Sequence, residues 1–111
     1  MDIRLALVAY LFPGLGIIFG IPMALGMIPP NRFYGYRTRK TFSSEEIWYR
    51  ANRFSGWAMV ISGLVALGHN QLFLHDHADW PSATQQLFLT ISTAISLFLG
   101  LLISAFYVRK L

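Results

Sequence analysis

The sequence predicts an all-α integral membrane protein with three transmembrane helices and a cytoplasmic loop carrying an interfacial helix between the first and second. Three observations carry this reading. The composition is 55% hydrophobic and only 13% charged, whereas an ordinary soluble domain carries about 25% charge. Three long intervals, Leu5–Asn31, Phe54–His75 and Trp80–Val108, contain no Asp, Glu, Lys or Arg. Basic residues then gather on one side of the spans those intervals define. The chain has 111 residues and no cysteine, so one membrane domain over 1–111 is expected. Disulfides, thiolate metal sites and a cysteine nucleophile are excluded.

A bilayer core about 30 Å thick needs roughly 20 helical residues to cross it. Trimmed to that requirement, the spans are predicted at about 5–28, 54–74 and 84–107. The first is not read as a secretory signal. It is too long, contains Pro13 and Pro22, and lacks an Ala-x-Ala-like cleavage site. Each proline removes a backbone donor, so a kinked or locally unwound first helix is expected. No acidic or basic side chain lies at mid-membrane depth, which argues against ion-coupled transport.

Orientation follows from the basic residues. Arg32, Arg37, Arg39, Lys40, Arg50 and Arg53 lie between spans one and two, and Arg109 and Lys110 at the C-terminus. Eight of the nine therefore fall on one side, leaving Arg4 on the other. The N-terminus is expected outside, with the 31–53 loop and C-terminus in the cytoplasm. This bias explains the net charge of +4 without nucleic acid.

Small residues let helices approach closely in lipid. Span one carries Gly16, Gly20 and Ala24; span two Ala58, Ser62 and Ala66; span three Ser92, Ser96, Gly100 and Ser104. These faces suit an intramolecular bundle or, alternatively, a homo-oligomer.

The segment 31–56 holds the most information. Pro29-Pro30 is expected to end span one, and Gly35 between two tyrosines suggests a tight turn. Ser43-Ser44-Glu45-Glu46 resembles a capping box, with Ser43 as N-cap and Glu46 at N3. That helix would run straight into span two. Trp48, Tyr49 and Trp57 would flank the membrane surface. Trp48, Asn52 and Gly56 share a face at spacing four. Asn52 could satisfy backbone groups freed by the proline turn. Arg37 could pair with Glu45 or Glu46, or contact anionic lipid.

The outer loop, read as His69–Asp79, contains His75, His77 and Asp79, which could share a metal ion. A polar solvated loop is the simpler reading. No nucleophile elbow, zinc-protease motif or phosphate loop occurs. Neither an enzyme nor a cofactor is expected.

The pattern Asn31-x-x-x-Gly35-x-Arg37-Thr38-x-x-Thr41, followed by Trp48-x-x-x-Asn52-x-x-x-Gly56, resembles the SdpI family of small bacterial membrane proteins. The chain is similar to the short form, one motif with three helices. The resemblance implies a multi-pass protein of the bacterial cytoplasmic membrane. It also implies immunity: protection of the producing or a neighbouring cell against a membrane-active peptide or protein toxin by non-covalent binding in the membrane. Longer members also hold a transcriptional repressor at the membrane. Partners would be the bilayer and such a toxin. The rival readings are an oligomeric scaffold or small channel, and a membrane metal-binding protein.

Overall fold

The computed structural model describes residues 2–111. Three helices, Ile3–Ala24, Glu45–Asp76 and Ser82–Arg109, are each long and apolar enough to cross a membrane. No strand occurs among the described residues. The molecule measures 52 × 22 × 18 Å, longer than the roughly 40–45 Å of a bilayer with its headgroup regions. Large side chains such as Ile18, Leu64 and Ile95 are more than half exposed. In a membrane protein these are the surfaces that meet lipid.

The first helix shows what its prolines do. It is α-helical over Ile3–Ala6, widens to a π-helix over Leu7–Leu11, and is α-helical again over Phe12–Ala24. Pro13 has no N–H to give the Ala9 carbonyl one turn earlier. Asn70 of the second helix supplies the missing donor, its Nδ2 reaching Ala9 O at 3.0 Å and Thr93 Oγ1 of the third helix at 3.0 Å. All three helices are joined at this point, beside the apolar cluster of Leu5, Val8, Ala9 and Leu89.

The first helix ends at Ala24, not at the proline pair. Gly26 takes φ +70°, its N–H bonds Met23 O, and Met27 N–H bonds Pro22 O. This is a Schellman stop, which favours glycine in the left-handed position. Pro29-Pro30 lies beyond the stop.

The second helix begins one residue later than the capping box suggested. Ser44 is the N-cap, its Oγ accepting from Ile47 N–H at 3.1 Å. Ser43 instead closes a short 3-10 turn over Thr41–Ser43 and donates to Lys40 O. Glu45 and Glu46 occupy the first turn, where carboxylates oppose the positive end of the helix. From there the helix runs unbroken to Asp76. The helix thus extends two residues beyond the expected end of span two near 74, and 69–76 are its last two turns. The true connection to the third helix is only His77–Pro81.

The second helix sits between the other two. Its crossing with the first is tight: a Cβ on Gly56 would fall 2.2 Å from Ala24 N and 2.6 Å from Gly20 O. A Cβ on Gly63 would meet the first helix slightly less closely, 2.8 Å from Pro13 O. The face meeting the first helix is thus Gly56, Val60 and Gly63. Ala58 and Ser62 turn toward the third helix, where Ser96 Oγ donates to Ser62 O at 2.9 Å and Gly100 packs against Ser62 and Ala58. Ala66 and Ser104 are buried, Ser104 bonding Gly100 O. Gly16 has more room, with nothing nearer than 3.7 Å to its Cβ position. Ser92 is half-buried and bonds its own Leu89 O. The first and third helices meet mainly through Ile3–Leu11, so they part toward the end that carries the 25–44 loop.

Candidate functional site

The motif segment folds back over that loop end as a clasp, each residue doing a local job first. Asn31 is a hub: its Oδ1 accepts from Phe33 and Tyr34 N–H, and its Nδ2 donates to Pro29 O and Tyr34 O. Such Asx turns let one side chain stand in for a turn's backbone bonds. Gly35 follows at φ +116°. Its missing side chain leaves room for Asn52 Oδ1, which a Cβ would approach to 2.6 Å, and for the Trp48 ring at 3.3 Å. Thr38 and Thr41 bond reciprocally, each backbone N–H reaching the other's Oγ1 at 2.8 and 3.2 Å. Thr41 is fully buried beneath this turn.

The second helix receives the clasp through two fully buried side chains. Trp48 donates from Nε1 to Ile28 O at 2.9 Å, and Phe42 packs on its ring. Asn52 accepts from Tyr36 N–H at 2.7 Å and donates to Trp48 O at 2.9 Å. The backbone freed near the proline pair is therefore bonded by Trp48, while Asn52 holds the turn after Gly35. Gly56 continues this face into the helix crossing.

Two further contacts tie the clasp to the other helices. The Tyr34 hydroxyl donates to Phe19 O of the first helix, and burial raises the Tyr34 phenol above its usual range. Lys40 Nζ donates to Arg109 O at the end of the third helix. Arg37 does not pair with Glu45 or Glu46; the guanidinium–carboxylate pair here is Arg50 with Glu46 at 3.6 Å. Among the described residues Arg37 has neither hydrogen-bond nor ion-pair partner, and it lines a cavity beneath the clasp.

On the other flank, the second and third helices leave an open apolar groove of about 340 Å³. Its floor is Ala58, Ser62, Ser96 and Gly100, and its lips are Trp57, Ile61, Val65 and Leu99. The groove continues past Ala66 and Ser92 toward His69.

The residues considered as metal ligands do not converge. His75 faces Asp76 at 3.2 Å, and His77 stacks on Phe73 and meets Trp80 edge-to-face. Among the described residues no three His, Cys, Asp or Glu side chains gather as metal ligands.

Sequence reasoning missed Ser55, Gly63 and Asn70. Gly63 falls outside the spacing-four series because the packing face advances by four and then three. Asn70 had a signal: an amide near the far end of a span that also faces a proline helix.

A model of the SdpI/YfhL protein family matches residues 27–108, which contain the clasp and both following helices. A relative from Bacillus subtilis (strain 168), "Uncharacterized protein YfhL", is 48% identical over 58 residues. Those residues are 50% of this chain and 51% of the relative, so the match spans about half the length of each. No solved structure matches.

Proposed function

The chain belongs to the SdpI/YfhL protein family, and we propose that it is an immunity protein of the SdpI type. It protects a bacterial cell from a membrane-active toxin by binding it within the bilayer, without covalent chemistry or a cofactor. In this reading the protein lies in the cytoplasmic membrane, N-terminus outside, with the clasp and C-terminus inside. The basic residues of the clasp side favour that orientation.

The observation that carries the reading is the groove between the second and third helices. Helices in lipid associate where small residues let backbones approach, and Ala58, Ser62, Ser96 and Gly100 form such a floor. The groove runs along the helices and is walled by aliphatic and aromatic side chains. A hydrophobic toxin helix fits it, and the clasp holds the three helices in register.

The test is protection of a toxin-sensitive bacterium expressing the chain, challenged with a panel of membrane-active peptides. Val65 is 59% exposed on the groove lip and Ile18 is 63% exposed on the first helix. Val65→Trp should abolish protection, while Ile18→Trp should leave it intact at equal membrane levels. Unchanged killing across the panel with the native chain would sink the immunity reading. A purified chain that runs as a stable oligomer, cross-linked through Val65→Cys, would assign the groove to a second copy.

A further inference from the structure

A second cavity, of about 300 Å³, lies under the clasp on the side where the first and third helices diverge. Its chemistry differs from that of the groove. Arg37 stands at its clasp end with no partner among the described residues. Ser55 also lines it, is only 3% exposed, and its Oγ has no hydrogen-bond partner. A buried hydroxyl without a partner is uncommon, because it gives up its bonds to water and gains none in return. Ser62 and Ser104, on the same and the next helix, each bond a nearby carbonyl of their own helix; Ser55 does not.

The cavity does not end there. Phe19, Met59 and Leu101 line it and also line an adjoining apolar groove, which continues past Gly16 and Leu97 toward Phe12. Polar groups therefore sit at one end, near the membrane surface, and a hydrocarbon slot leads from them into the bilayer. We infer that this is a binding site for one anionic phospholipid. The headgroup phosphate pairs with the Arg37 guanidinium and accepts a hydrogen bond from Ser55 Oγ at the cavity floor. One acyl chain lies along Phe19, Met59 and Leu101.

Charge decides the lipid class. Arg37 lines the cavity, Arg32 and Arg39 lie in the same loop, and none of the three is ion-paired among the described residues. A net-negative headgroup gains from that field, while a zwitterionic one brings its own cation. Guanidinium–phosphate bonds are among the stronger charge-assisted contacts. The site lies apart from the toxin groove and does not depend on the immunity reading.

The experiment is native mass spectrometry of the full purified chain, titrated with phosphatidylglycerol, phosphatidylcholine or inorganic phosphate. One phosphatidylglycerol should be retained per chain, at least about tenfold more tightly than phosphatidylcholine. Arg37→Gln should remove that preference and Arg37→Lys should keep part of it. Ser55→Ala should weaken retention by roughly threefold to tenfold. Arg50→Gln, which removes a partly exposed surface charge paired with Glu46, should change nothing. Circular dichroism of each variant checks that the helices persist, and Ser55→Ala gives an independent reading if Arg37→Gln misfolds. Equal retention of both lipids, or equal loss in Arg50→Gln and Arg37→Gln, overturns the site in favour of ordinary boundary lipid. Retention of inorganic phosphate as tight as that of phosphatidylglycerol overturns the lipid assignment.

Discussion

Gly35 and Asn52 form a pair in which each explains the other. Asn52 Oδ1 reaches Tyr36 N–H only because no Cβ stands on Gly35. Gly35→Ala combines a left-handed backbone with a 2.6 Å clash, so a loss of roughly 1–3 kcal/mol is expected. Asn52→Leu leaves the Tyr36 N–H without its acceptor and should destabilise by about 1–3 kcal/mol. Thermal unfolding in detergent, followed by circular dichroism, measures both. A wild-type midpoint in either variant would mean the clasp does not hold the helices together. At this scale the motif was readable as a set of positions. The pairing of Trp48 with Ile28 and of Asn52 with Tyr36 was not, because it depends on where a loop of more than a dozen residues lands.

Among the elements, the first helix carries the most specific prediction. Pro13 frees the Ala9 carbonyl, and Asn70 bonds it. Asn70→Ala should therefore destabilise by about 0.6–2 kcal/mol. The same change should have a smaller effect in a Pro13→Ala background, where the backbone can supply its own donor. Additive effects in that double-mutant cycle would dissociate the two residues. Glycines separate just as sharply. Gly56→Ala puts a Cβ 2.2 Å from Ala24 N, whereas Gly68→Ala meets nothing within 4 Å. The first should cost roughly 1–3 kcal/mol or more, and the second should be neutral or slightly stabilising. Both glycines lie on one helix. Sequence spacing marked Gly56, but Gly63 and Gly68 differ only in which way they face once the helices cross.

For the whole molecule, the asymmetry of basic residues predicts topology. The chain has no native cysteine, so single introduced cysteines report without background. Ala78→Cys should react with an impermeant thiol reagent added to intact cells, and Ser43→Cys should react only after the membrane is opened. The opposite pattern would invert the orientation and move the clasp outside. The same scale separates the two cavities: the groove proposed for a toxin lies between the second and third helices, and the cavity proposed for a lipid lies where the first and third diverge.

Length, apolar intervals and charge placement determined that this chain is a three-helix membrane protein, because crossing a bilayer imposes length and polarity on each segment separately. The motif determined its family for the same reason: fixed residues at fixed spacings within one stretch need no tertiary knowledge. Only the tertiary structure decided which glycines are crossings, that Gly26 ends the first helix, that Asn70 repairs a proline, and that Arg37 and Ser55 face one cavity. Those outcomes depend on how helices rotate about their axes and where they diverge. Rotation is set by the sum of many close contacts between segments distant in sequence, and no single stretch of chain contains it.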